Sequence, residues 1–222
     1  MTGQDNRLWL QMWQNSQTDE FHQTTVNKYL VRFWPRLDLA KGNRVFVPLC
    51  GKSLDMIWLA GQGCEVIGVE LSPIAVKAFF EGNNLQATKR RMGEFTRWQH
   101  GNITILCGDY FSLKKADLGH IDTVYDRAAL TALPEAVRKL YVAHLHRIIA
   151  KTTDVFLLTI EDGTEHAVPQ QSDQIDEELI SLYANEFEIR LENVDCVLEA
   201  NPELSRQPQE RVDYKVYRLS GK

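Results

Sequence analysis

Apolar residues along this chain fall into two alternating rhythms. Short continuous runs of the kind found in buried strands occur at Val45-Phe46-Val47, Glu65-Val66-Ile67-Gly68-Val69, Ile103 to Cys107, Ile121 to Asp126 and Val155 to Ile160. Between them lie stripes at helical spacing. Ile74, Val76, Phe79 and Phe80 follow the cap-then-proline signal Ser72-Pro73 and stop at Gly82. Val137, Leu140, Tyr141, Leu145 and Ile148 follow Pro134, and Ile175, Leu179, Ile180 and Tyr183 mark a later helix. A shorter helix starts at Ser53, as N-cap, and ends at Gly61 or Gly63. Phe187 to Leu198 and Val212 to Leu219 predict the last two strands, joined by a polar loop over 199–209. Residues 87–101 are polar, and only Phe95 and Trp98 point to a short edge strand or loop. Strand alternating with helix predicts an α/β fold with a doubly wound, mainly parallel sheet. The sheet occupies 43–222, and helices over 1–36 precede it in the same domain.

The first strand–turn–helix–strand unit carries the candidate chemistry. The strand at Val45 breaks at Pro48-Leu49-Cys50-Gly51-Lys52, and the next strand ends on Glu70. Gly51 has no Cβ and lets a ligand approach the backbone. Glu70, about twenty residues on, is placed to accept both hydroxyls of a ribose. The turn has one glycine where the dinucleotide fingerprint has three, and no GxxxxGK[ST] run surrounds Lys52. A ligand with a ribose and no phosphate fits better, and S-adenosylmethionine is such a ligand. The alternative is an ordinary βαβ unit with a solvated Glu70.

Two further strand ends offer groups to the same edge. Asp109-Tyr110 follows the strand at Ile103, where an acid can take an adenine amino group and the next residue can stack on the ring. A turn built on the irregular-backbone preference of Gly108-Asp109 is the alternative. Asp126-Arg127 ends the following strand, and an arginine there can hold an anionic substrate or pair structurally. Trp9 and Trp13 share one helical face, and Val26, Tyr29, Leu30 and Phe33 form another stripe that Pro35 stops. On the residues alone, Trp9, Trp13 and Phe21 read first as packing and second as a cover over the ligand.

Composition narrows the partners. Net charge is −5 from 25 basic and 30 acidic residues, and Lys89-Arg90-Arg91 is short and isolated. Nucleic acid is therefore disfavoured, because neutralising phosphates takes a basic face. The four cysteines show no CxxC pairing, which suits a reducing compartment. Cys50 sits in the ligand turn as a small hydrophobe or a reactive thiol. Six scattered histidines suggest no metal site. With no basic-then-apolar leader and no run of membrane-spanning length, the expectation is a cytoplasmic protein with no membrane partner.

Several stretches together carry a family resemblance. They are Trp9-Leu-Gln-Met-Trp13, Phe21-His22-Gln23, Val45-Phe-Val-Pro-Leu-Cys-Gly-Lys52, Gly68-Val-Glu-Leu-Ser72, Tyr125-Asp-Arg-Ala-Ala-Leu130 and Tyr214 to Leu219. They span nearly the whole chain, which resembles thiopurine S-methyltransferase in its bacterial form. The resemblance implies a class I methyltransferase sheet of seven strands with the last antiparallel, and S-adenosylmethionine as methyl donor. It implies that Trp13, Leu49, Gly51, Glu70 and Arg127 line the donor site, with Asp109 and Tyr110 bordering the adenine. It makes Trp9, Trp13 and Phe21 part of a cover over the site where Arg127 and the substrate meet, and in the loop over 199–209 Arg206 is the only arginine available to a substrate carboxylate. The expected substrate is a small thiol or an oxyanion of selenium or tellurium, and the expected state is a monomer. A thiol ionises readily near neutral pH, so no indispensable base is expected, and Asp126 or water would take any proton shed. Arg127 would act electrostatically.

Overall fold

The computed structural model describes residues 3–15, 23–162, 176–199 and 210–222. Nine strands form one sheet among these residues: β1 (Arg44–Val47), β2 (Glu65–Glu70), β3 (Thr88–Met92), β4 (Phe95–His100), β5 (Ile103–Cys107), β6 (Thr123–Arg127), β7 (Asp154–Asp162), β8 (Phe187–Glu199) and β9 (Glu210–Gly221). Their spatial order is β3-β4-β5-β2-β1-β6-β7-β9-β8. β5, β2, β1, β6 and β7 run parallel, and β9 enters antiparallel between β7 and β8. The expected antiparallel last strand is therefore present, but the count of seven is too low. β3 and β4 add an antiparallel hairpin to the β5 edge.

That hairpin is the stretch over 87–101 that resisted assignment. Every β3 residue is exposed, so no apolar alternation marks the strand. Its turn is Gly93-Glu94, with Gly93 at φ +57°, where a side chain would be strained. Lys89, Arg90 and Arg91 lie along this edge, and charge on an exposed strand disfavours pairing with another chain.

Helices cover both faces. The described ones are α1 (Gly3–Gln14), α2 (Lys28–Phe33), α3 (Asp55–Gly61), α4 (Pro73–Gly82), α5 (Lys115–Leu118), α6 (Glu135–Ile148) and α7 (Glu177–Tyr183). Side-chain alternation along each strand divides the core in two. Val45, Val47, Tyr125, Phe156 and Leu158 pack with Leu30, Met56 and Phe79 of α2, α3 and α4. Phe46, Val124, Leu157 and Tyr217 pack on the other face with Tyr141 and Leu145 of α6 and Tyr183 of α7.

Most described stripe residues are buried, Trp9 and Val26 are half-buried, and three are exposed. Ile74, Leu140 and Ile180 flank their helical stripes and stay largely in solvent. Ser72 caps α4 as expected, its Oγ accepting from Ala75 N. α2 ends at Phe33, just before Pro35 as expected, and a 3-10 turn over Trp34–Leu37 follows it. α3 begins at Asp55 with Leu54 at its N-cap position, one residue later than an N-cap at Ser53 would give, while the Ser53 hydroxyl still accepts from Asp55 N and also from Arg127 Nη2.

Candidate active site

The strand order reverses between β1 and β6, with β2 and β5 beyond one and β7 beyond the other. Such a switch point leaves a crevice outside the strands' C-terminal ends. A pocket opens there, lined by Val47 to Gly51, Ser53, Glu70, Leu71, Tyr125, Arg127 and Ala128 from the strand ends and turns. Trp9 and Trp13 of α1 complete it from above. Apart from Glu70 and Arg127, the side chains of this lining are uncharged.

Glu70 occupies one wall and is buried. Its Oε2 accepts from Gly51 N at 3.0 Å and its Oε1 from Ser72 N at 2.7 Å. Burial pushes its pKa up, and the N–H groups of Ser72, Gly51 and Leu71 pull it back down. Each oxygen keeps a lone pair for a further donor. Two adjacent hydroxyls are a natural match, so Glu70 fits the ribose of an S-adenosyl ligand. Gly51, at φ +51°, keeps that approach clear of a Cβ.

Arg127 occupies the opposite wall, its side chain 12% exposed. It donates from Nε to Asp55 Oδ2 at 2.7 Å and from Nη2 to Ser53 Oγ at 2.9 Å. Asp55 is fully enclosed, and Tyr125 OH and Asn27 N also donate to it. Two non-glycine residues in the lining hold left-handed backbone, Leu49 at φ +46° and Ala128 at φ +61°. Such conformations persist only where surrounding structure imposes them, and they collect at functional sites.

The roof is fastened on two sides. Lys52 Nζ lies 5.9 Å from the Trp13 ring centre. Asn6 of α1 donates to Asp109 Oδ2 at 3.0 Å, across the mouth of the sheet.

Comparison with known proteins fits this geometry. The family model for thiopurine S-methyltransferase matches residues 4–222. The chain belongs to the thiopurine S-methyltransferase family. The thiopurine S-methyltransferase of Stutzerimonas stutzeri is 57% identical over 222 residues, all of this chain and 93% of the relative. That of Bordetella pertussis is 40% identical over 215 residues, covering 97% of this chain and 98% of the relative. Among solved structures, a SAM-dependent methyltransferase from Anabaena variabilis superposes with a TM-score of 0.63 at 17% identity, covering 98% of this chain and 95% of that one. A Burkholderia thailandensis 1,6-didemethyltoxoflavin-N1-methyltransferase with bound S-adenosylhomocysteine gives 0.59 at 12% identity, covering 97% and 87%. At such identities the likeness speaks for the fold.

Of the residues that the thiopurine S-methyltransferase resemblance implied, Trp9, Trp13, Leu49, Gly51, Glu70 and Arg127 meet at one pocket. Phe21 and Arg206 lie outside the described residues. Three residues are placed elsewhere. Tyr110 turns into the core, where its hydroxyl donates to Tyr141 O and its ring stacks on Tyr141 at 4.9 Å. Asp109 caps the 3-10 turn after β5, accepting from Phe111 N, and spends its other oxygen on Asn6. It is a fastening for the roof and does not line the pocket.

Asp126 is the third. Neighbours on a strand face opposite sides, so Asp126 points away from the pocket that Arg127 meets. It is wholly buried beneath α6, with Tyr141 OH donating to Oδ2 at 2.6 Å. Burial pushes its pKa up to about 6, against the Tyr141 hydroxyl and the N–H groups of Leu130 and Ala129. It cannot take a proton from a pocket-bound substrate. Asp55 is the residue that sequence reasoning missed. Its partners lie far along the chain, and only its place in the first turn after the glycine-bearing loop hints at a role. Cys50 lines the pocket, where burial and the neighbouring Glu70 hold its thiol pKa well above the ordinary value, which disfavours the reactive thiolate. Among the described residues there is no group able to hold a metal ion, and no helix is long and apolar enough to cross a membrane.

Proposed function

We propose that this protein transfers the methyl group of S-adenosylmethionine to the sulfur of small aromatic or heterocyclic thiols. The observation that carries the reading is a crevice with a buried carboxylate on one wall, a tethered guanidinium on the other and two tryptophans above. When bound, S-adenosylmethionine supplies a methyl group on a positively charged sulfur that leaves readily. Glu70 takes the ribose hydroxyls, held in aim by the N–H groups of Gly51 and Ser72. Trp9 and Trp13 exclude water and offer flat apolar faces to an aromatic acceptor. Arg127 orients the acceptor and favours its thiolate form. With Asp126 behind the sheet and Asp55 engaged by Arg127, Tyr125 and Asn27, neither of these carboxylates is free to act as a base, and among the described residues no other acid besides Glu70 lines the pocket. A thiol that loses its proton to water suits such a site, and positioning supplies much of the acceleration.

The same guanidinium suits small oxyanions, so selenite and tellurite belong among the proposed acceptors. The proposed setting is the cytoplasm, with the chain acting as a monomer. The test is transfer from labelled donor to a panel of aromatic thiols, phenols, amines, selenite and tellurite. Label on the thiols is the expected result. Label on phenols or amines alone would overturn the thiol assignment, and donor binding without turnover on any acceptor would mark a binding protein.

A further inference from the structure

Asp55 is a buried acid whose two oxygens face different parts of the molecule. Oδ2 accepts from Arg127 Nε at 2.7 Å and from Tyr125 OH at 2.9 Å, which fixes the guanidinium against the pocket wall. Oδ1 accepts from Asn27 N at 2.8 Å. Asn27 is the N-cap of α2, its own side chain accepting from Tyr29 N and Leu30 N. α2 is the helix that follows α1, which carries Trp9 and Trp13. The carboxylate is 1% exposed and Asn27 is 6% exposed, so water does not replace either contact cheaply.

The place of Asp55 in the chain adds to this. It opens α3 directly after the turn that contains Leu49 and Gly51. Gly51 N–H aims Glu70, on the donor wall, while Asp55 aims Arg127, on the acceptor wall. One short stretch, 51–55, thus holds both walls in register.

We infer that Asp55 is a positioning residue that sets Arg127 for the acceptor and ties the same setting to the start of α2. The inference deepens the methyl-transfer reading and rests on it for the turnover measurement. Arg127 and Asn27 have no hydrogen bond to each other, so Asp55 is the link through which a change at one reaches the other. A guanidinium with one edge fixed presents its remaining N–H groups in a single direction, and a small misplacement of such a group is costly to turnover.

Two measurements test this. The first is a double-mutant cycle with Asp55→Asn and Arg127→Met, reading turnover on an aromatic thiol and donor affinity by calorimetry. An amide accepts on one side only, so Asp55→Asn must turn an NH2 toward Asn27 N–H or toward the Arg127 and Tyr125 donors. The expected result is a loss of roughly tenfold or more in kcat, with donor Kd changed by less than about twofold. With Arg127 already replaced, Asp55→Asn should cost nothing further. Losses that multiply in the double variant, or donor affinity that falls as far as kcat, would overturn the inference. The second measurement needs no turnover and no Asp55 variant. Amide hydrogen exchange at Asn27 should accelerate roughly tenfold in Arg127→Met, while Val66 N–H, bonded to Asn102 O at 2.8 Å within the sheet, keeps its rate. Unchanged exchange at Asn27, or equal acceleration at both sites, would sink the shared anchor. If Asp55→Asn does not fold, this second result decides alone. If the wild-type chain labels no thiol, the methyl-transfer reading falls, and the exchange result still judges the coupling separately.

Discussion

The two faces of β6 hold very different acids. On the pocket face, Asp55 meets a guanidinium, a phenol and a backbone N–H, and Glu70 nearby takes N–H groups on both oxygens. On the core face, Asp126 has the Tyr141 hydroxyl and its own following turn, no cation pairs with it among the described residues, and its pKa rises to about 6. All three carboxylates are buried. Being an acid at the C-terminal edge of the sheet therefore does not make a functional group. What decides is which face the side chain takes and whether matched donors meet it there.

The largest test of this contrast is Arg127→Met. Losing the one positive charge that the described residues bring to the lining should cut turnover by about 10²- to 10³-fold, as removal of a preorganised electrostatic contact does elsewhere. Donor affinity should change by only a few-fold if, as proposed, Glu70 carries the donor contact. Single-turnover kinetics beside calorimetry separates the two. Equal losses in both would place Arg127 with the donor and erase the division into two walls.

Asp126→Asn probes the other face. Raising a carboxyl from 3.8 to about 6 on folding corresponds to about 3 kcal/mol of destabilisation once the group ionises. The sign follows from proton counting. Between pH 4 and 6 the native state holds a proton that the unfolded chain has lost, so this contribution to stability falls as pH rises and is fully lost above 6. The variant does not titrate there. Its stability relative to wild type should therefore rise across pH 4–6, by up to about 3 kcal/mol, and stay flat above 6. Urea unfolding at pH 4, 5, 6 and 7 measures it, and a difference independent of pH would mean that Asp126 is ionised throughout. Methyl transfer at pH 7 should survive the change.

The pocket face was legible from sequence in good part, and the core face was not. Glu70, Gly51 and Leu49 stand out because a continuous apolar strand, a glycine-bearing turn and a Ser72-Pro73 cap are all local signals. The pairing of Asp126 with Arg127 as one functional unit failed for a local reason too: adjacent strand residues point to opposite sides, and alternation alone predicts their separation. Tyr110 was misplaced because its partner, Tyr141 of α6, lies on a distant element that no local pattern connects to it. Asp55 was invisible for the same reason, since Arg127 lies 72 residues away. Of the β3–β4 hairpin, Phe95 and Trp98 pointed to β4, while β3 left no apolar cue, because an exposed edge strand needs no apolar period. Residues 163–175 and 200–209, the latter containing Arg206, lie outside the described residues.

Glu70→Gln sharpens the donor wall. The amide keeps the shape but can accept on one oxygen only, so one of the backbone donors or a ribose hydroxyl loses its partner. A hydrogen bond to a charged acceptor is worth about 1.5–3 kcal/mol, which predicts donor binding weaker by roughly 10- to 100-fold. Calorimetry with S-adenosylhomocysteine reads this directly, and undiminished affinity would remove Glu70 from the site.

The smallest expected effect concerns the backbone that lets β6 end as it does. Immediately after Arg127, Ala128 turns into left-handed backbone at φ +61°, and its N–H reaches Leu158 O at a long 3.4 Å. An L-residue there costs roughly 1–2 kcal/mol that glycine does not incur. Glycine in turn gains freedom in the unfolded chain, worth about 0.4–1 kcal/mol against the folded state. Ala128→Gly should thus stabilise the protein by about 1 kcal/mol or less, a rise of roughly 2–4 °C in Tm for a chain of this size. If the strain serves to hold Arg127 at the wall, the same variant should lose turnover while its melting point climbs. If turnover holds, the hydrogen bonds from Arg127 to Asp55 and Ser53 suffice, and the left-handed turn is only the geometry by which the strand leaves the sheet.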